Sequence, residues 1–265
     1  MAGRIDTPGE SILTRVSRIL HAFTEDAPEL PLADLASRSG LPRSTAHRLA
    51  TELASLGLLD RTPSGYAIGT GLWEIGELSS VSLRLREVAL PHLLTLYEAT
   101  GENVHLAMLE GSEALYVARL AGSSSIPTLS RMGGRLPLHT TGVGKALLAA
   151  QDEPWLDEYF ALPRLRETIH SITEEDRLRE ELHRSRDRGY ATTRQEMTLG
   201  NVSIAAVIPE VQGLPRAAVG VVTHLARADE GRVAPLVIRT AGEIARSLSG
   251  TRDWSRRPPP ASVSS

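Results

Sequence analysis

The chain has 265 residues, of which 41% are hydrophobic and 23% charged, and a formal net charge of −3. That length favours two domains, and the composition supports an ordinary globular core. The charge excludes a protein that coats nucleic acid or anionic membrane by bulk attraction, but it leaves room for a local basic patch. Cysteine is absent, which excludes disulfides, thiolate metal sites and cysteine nucleophiles together. Lys145 is the single lysine, so arginine carries the remaining cationic chemistry.

Residues 1–9 read as a loose tail without the apolar segment of a secretory signal. No apolar run approaches the ~18 residues that span a bilayer. The expected location is cytoplasmic, with no membrane partner.

From Glu10, the residues Ile12, Val16, Ile19, Leu20 and Phe23 recur at helical spacing. "PLADLASRSG" follows, opening on Pro31 and closing on Gly40, which suits a helix of about two turns. The next helix starts at Pro42 or Arg43 and runs to about Ser55, with Ala46, Leu49, Ala50, Leu53 and Leu56 on one face. Two short helices around a tight glycine-bearing turn are the helix-turn-helix pattern. With the apolar face inward, Arg43, Ser44, Thr45, His47 and Arg48 are left for solvent or a ligand. A helix start offers free N–H groups and a positive dipole end to phosphate, and these side chains suit phosphates or base edges. A capped surface helix would place Ser and Thr there as well.

"GLLDRTPSGYAIG" reads as strand, turn, strand: a wing, with Arg61 and Ser64 near its tip. "TGLWEIGELSSVSLRLREVALPHLLTLYEATG" keeps helical spacing for its whole length. Residues 71–88 are taken as a connecting helix with Leu72 and Trp73 as packing anchors, and Pro91 either opens a second helix or kinks a long one.

After Gly101 the period shifts to two. "NVHLAMLEG" and "ALYVARLAG" form a hairpin, and a further strand is expected around Ile126–Arg131. "TTGVGKALLAAQ" returns to helix. "TEEDRLREELHRSRDRG" opens with Thr173 as its cap and stops at Gly189. "NVSIAAVIPEVQGLPRAAVGVVTHLA" reads as a buried central hairpin, and residues 229–249 as a last helix. The tail 250–265 is Pro/Ser-rich and expected to be disordered.

The reading is therefore mixed α/β of the α+β type. Residues 10–70 form a winged helix-turn-helix and residues 89–249 a second domain with an antiparallel-rich sheet. "TTGVGKA" is not a phosphate loop, because His139 and Ala146 stand where that motif requires glycine and a hydroxyl residue. Its helix start could still hold an anion. No nucleophile elbow, metal-ligand spacing or cofactor motif is present, and "EEDRLREEL" is a solvated helix face. No catalytic or metal site is assigned.

Two stretches, "LPLADLASRSGLPRSTAHRLATELASLGLLDR" and "GGRLPLHTTGVGKALLA", resemble the IclR family of bacterial transcription regulators in content, order and spacing. The resemblance extends over residues 10–250. It implies a GAF-like effector-binding domain without a cofactor, small organic effectors, and homodimers or tetramers on a pseudo-palindromic operator of double-stranded DNA. The family's pocket positions fall on Thr128, Leu136, Gly142, Val143, Thr193, Asn201, Ser203, Gly220 and Val222. Where members carry an acidic run this chain has "TRQE", leaving Glu196, and Ser203 stands where cysteine is common. Gly220 and Val222 imply a roomier, less polar pocket than a two- or three-carbon acid needs. Arg194 could meet a carboxylate. The function expected is a ligand-responsive DNA-binding regulator, read as a repressor. The alternatives are a GAF-like sensor or enzyme, and a winged helix that binds protein.

Overall fold

Glycine and proline punctuate the N-terminal third, and the helices stop and start where they stand. The computed structural model describes residues 10–78, 80–121 and 126–250, the side chains of residues 80–82 excepted. The tail 1–9 and residues 251–265 lie outside the described residues. The chain divides into two units, residues 1–80 and 81–265.

In the first unit, Ser11 caps α1 (Ile12–Leu20) by accepting the Thr14 N–H. A two-residue strand, β1 (Glu29–Leu30), leads into α2 (Leu32–Ser39). That helix ends on Gly40 at φ +61°, a left-handed turn that glycine adopts without strain. Pro42 fixes the entry to α3 (Arg43–Ser55). The wing is β2 (Leu59–Arg61) and β3 (Tyr66–Ile68), with β1 added to the far side of β3. Ile19, Leu35, Ala46, Leu49, Leu53 and Leu59 form the core. Burying a side chain such as Leu49 stabilises the unit by about 1.5–3 kcal/mol.

The segment read as one connecting helix is interrupted. α4 (Thr70–Gly76) ends at Glu77, and α5 (Ser80–Thr100) runs through Pro91 without a break. Trp73 is 65% exposed and no residue of α4 is buried, so Trp73 is not a packing anchor within this unit.

The second unit is built on a six-stranded antiparallel sheet in the order β6-β5-β4-β9-β8-β7. Its strands are β4 (Asn103–Glu110), β5 (Glu113–Leu120), β6 (Arg135–Pro137), β7 (Ala191–Arg194), β8 (Asn201–Val207) and β9 (Ala217–His224). The two long hairpins legible in the sequence pair with each other in the middle, β4 on β9. Period-two alternation assigns their faces. Val104, Leu106, Val202, Ile204, Val219 and Val221 pack under α5 and α9 (Glu230–Gly250). His105, Ala107, Ser203, Ala205, Ala218 and Gly220 alternate with them, and Ala107, Ala205 and Ala218 join the core beneath α6 (Gly142–Ala149), α7 (Glu153–Phe160) and α8 (Glu175–Arg188). These small residues let α6 sit low on the sheet.

Two local expectations change. Residues 126–131 form no strand, and only Arg135–Pro137 joins β5. Pro127 lacks the N–H that a ladder needs, and side-chain amides serve the carbonyls instead: Asn103 donates to Ile126 O at 2.9 Å and Asn201 to Pro127 O at 3.3 Å. The cap of α8 is Glu174, not Thr173, whose hydroxyl accepts from Arg166.

Candidate DNA-reading face and effector cavity

The first candidate site is the outer side of α3. Ala46, Leu49, Ala50 and Leu53 hold the helix to its unit, while Arg43, Ser44, His47 and Arg48 are exposed and Thr45 is half-buried. Pro42 provides no side-chain cap and the first turn has no acidic residue, so its leading N–H groups stay available to an anion. Arg48 meets Glu52 at 3.7 Å with both side chains about 60% exposed, a weak pair that phosphate could displace.

The wing is coupled to this helix through one phenol. The Tyr66 hydroxyl lies 3.4 Å from His47 Nδ1 and 3.3 Å from Thr51 Oγ1, and Arg61 donates to Thr51 Oγ1 at 3.1 Å. Arg61 is thereby held beside α3. Ser64 is engaged otherwise: its hydroxyl and that of Thr62 both donate to the Glu29 carboxylate, which these bonds hold below the usual carboxylate range. Gly65 is required here, since a Cβ would lie 2.1 Å from Leu30 O.

The second candidate site is a cavity in the second unit, with an empty volume of about 410 Å³ counting its open mouth. Thr128, Leu136, Gly142, Thr193, Asn201, Ser203 and Val222 line it. Val143 and Gly220 do not. They face each other inside the core, and a Cβ on Gly220 would stand 3.1 Å from Val143 Cγ1 and 2.8 Å from Ala205 Cβ.

The wall also contains residues that the sequence reading did not place there: His105, Tyr116, Leu129, Ser130 and Met197. The signal was a histidine inside the apolar run of β4, on the same sheet face as Ala107. His105 Nε2 lies 2.9 Å from Ser130 Oγ, which is 3.0 Å from Thr128 Oγ1, and the ring meets Tyr116 edge-on at 5.4 Å. Burial, reinforced by the charge of Arg119, pushes the His105 pKa down to about 3, so the ring is neutral at physiological pH. Burial likewise raises the Tyr116 phenol. His139 stays outside the wall as a packing residue, its Nε2–H donating to Leu165 O at 2.8 Å and its Nδ1 meeting the Tyr159 hydroxyl at 3.2 Å.

Glu196 enters the wall from the turn after β7. Gln195 holds φ +59°, a left-handed conformation uncommon outside glycine. Its N–H donates to Asn201 O at 2.7 Å, and Thr168 and Ser171 donate to the carbonyls of Gln195 and Glu196 at 2.6 and 2.7 Å. Behind the wall, Lys145 is fully buried and donates to Glu196 Oε1 at 2.7 Å. Burial works against both charges, lowering the Lys145 pKa and raising that of Glu196, while their mutual attraction opposes the shift. Arg194 points elsewhere and pairs with Glu230.

Comparison with known proteins finds a family match for each part of the chain. Residues 12–63 match the IclR helix-turn-helix domain, and residues 78–250 match the C-terminal domain of bacterial transcriptional regulator IclR. The transcriptional repressor IclR of Escherichia coli K12 is 30% identical over 91% of this chain and 90% of its own length. XynR, an HTH-type transcriptional regulator from the same organism, is 31% identical over 83% of this chain and 88% of its own. Among solved structures, an IclR homologue from Microbacterium hydrocarbonoxydans, complexed with 4-hydroxybenzoate, has a TM-score of 0.84 at 33% identity and covers 91% of this chain and all of that one. The Thermotoga maritima IclR structure has a TM-score of 0.73 at 29% identity, over 89% of this chain and 98% of that one. A DNA-binding winged helix-turn-helix and a ligand-binding domain stand in one chain in the family's order, and the chain belongs to the IclR family of bacterial transcriptional regulators.

Proposed function

We propose that α3 lies in the major groove, with Arg48, Thr45 and Ser44 meeting base edges or phosphates and Arg43 and His47 supporting them. Arg61 contacts the backbone from the wing, and Ser64, tied to Glu29, acts through the shape of the wing tip. The observation that carries this reading is the division of α3: its leucines are buried and its polar side is exposed. Two copies in a homodimer, alone or within a tetramer, would place two such helices about 34 Å apart on a pseudo-palindromic operator.

The cavity takes a small organic effector, with Thr128, Leu136, Gly142, Thr193, Asn201, Ser203 and Val222 in contact with it. The relative that binds 4-hydroxybenzoate supports a ring-sized compound. The protein acts in the cytoplasm as a repressor, released or engaged by the effector according to the state that the effector prefers. The test is a thermal-shift screen of small acids and aromatics on the purified full chain, followed by titration of its own promoter DNA with any compound that raises Tm. A hit is expected to change operator affinity. A compound that fills the cavity and leaves operator affinity constant would overturn ligand control.

A further inference from the structure

The strand side of the cavity is closed to solvent, with His105 only 3% exposed and Thr193, Ser203 and Val222 also buried. The solvent side is the reverse: Leu129 lines the cavity and is 62% exposed, and Thr128, Met197, Thr198 and Asn201 are half-buried. A compound that reaches the strands therefore passes between residues 126–130 and the turn before β8. Among the described residues, no backbone hydrogen bond joins residues 126–130 to a strand. Three side chains hold the segment instead. Asn103 Nδ2 donates to Ile126 O at 2.9 Å and Ser130 Oγ meets His105 Nε2 at 2.9 Å, so both ends are tied inside the wall. Between them, Asn201 Nδ2 donates to Pro127 O at 3.3 Å in an exposed position. Asn103 is fully buried and its Oδ1 has no hydrogen-bond partner among the described residues, so what its amide adds to the fold is the one bond to this segment. Water competes for the exposed bond more than for the two shielded ones, so the span Pro127–Leu129 releases first while its ends stay held.

We propose that residues 126–130 are a strap anchored at Ile126 and Ser130, that the Asn201–Pro127 bond is its latch, and that release of this latch admits the effector to the strands. The inference rests on the reading of this cavity as the effector site. Asn103 and His105 act as positioning residues: they keep Thr128 in the wall through the ends of the strap, and Thr128 Oγ1 is joined to the inner anchor by its 3.0 Å contact with Ser130 Oγ.

The test uses the full chain and needs no effector. Diethyl pyrocarbonate modifies neutral imidazole, and His105 is neutral at pH 7 and bonded to the strap. Its rate of modification, followed by peptide mass spectrometry, reads how often the strap opens. His139, as buried but outside the cavity wall, reads opening of the unit as a whole. Asn201→Ala removes the latch and is expected to raise the His105 rate about fivefold, the equivalent of one net hydrogen bond, with the His139 rate and Tm unchanged. Asn103→Leu removes an anchor and should raise the His105 rate at least as much. If Asn103→Leu does not fold, Asn201→Ala decides alone. A wild-type rate at His105 in the variants, or an equal rise at His139, would overturn the strap while leaving the effector site in place. The expected rise at His105, in a chain for which the compound screen finds no hit, would uphold the strap and overturn the effector reading of the cavity.

Discussion

The neutral state of His105 has a measurable consequence. Its folded pKa is pushed down to about 3 by burial, whereas an exposed histidine in the unfolded chain titrates near 6.5. Between those values the unfolded chain binds the extra proton. The stability that this residue contributes is therefore complete above about pH 6.5 and is lost as pH falls toward 3. His105→Gln keeps a partner for Ser130 and removes the titration. Between pH 7 and pH 5 the wild type should lose more Tm than the variant, by on the order of 1 kcal/mol or roughly 2–4 °C, as followed by thermal melts. Equal slopes would mean that the ring is hydrated. At this scale the sequence was legible only in part. A histidine within an apolar strand shows that something polar is buried, but not which loop supplies Ser130. Val143 and Gly220 lie on the correct elements, yet they turn toward each other, because face assignment inside a helix–sheet contact depends on how low the helix sits.

Elements were read more securely, since periodicity records burial directly. The helices of the first unit, the wing and both central hairpins of the second unit follow from spacing and from glycine and proline punctuation. What failed was structure held by side chains rather than by ladders: residues 126–131, whose carbonyls are met by Asn103 and Asn201, looked like a strand by composition alone. The seat of α6 gives a prediction at this scale. A Cβ on Gly142 would lie 2.2 Å from Ser203 Oγ and 2.8 Å from Ser203 Cβ. Gly142→Ala should lower stability by about 1–3 kcal/mol and weaken effector binding, and Ser203→Gly in the same chain should restore the melting temperature. No rescue would place the strain elsewhere. The wing gives another. Tyr66→Phe removes the hydroxyl between His47 and Thr51, and operator affinity should fall by about 0.5–1 kcal/mol with Tm nearly unchanged. A Tm loss equal to the affinity loss would make the hydroxyl purely structural.

For the molecule as a whole, the two matched domains make a ligand-responsive DNA-binding regulator. An effector acts only through different affinities for the states of the chain that bind DNA well and poorly. The net charge of −3 calls for a local operator contact, which the proposed reading assigns to arginine on α3. Affinity for promoter DNA should fall steeply with salt. The family assignment rests on both halves of the chain, while the contacts on DNA rest on the outward side of one helix. The most direct test of those contacts is a salt-controlled titration of operator and scrambled duplexes with wild type and Arg48→Ala. Wild type is expected to prefer the operator, and Arg48→Ala to lose about 1–3 kcal/mol of operator affinity at unchanged Tm and effector binding. An Arg48→Ala protein that binds the operator as tightly and as selectively as wild type would contradict the placement of α3 in the major groove.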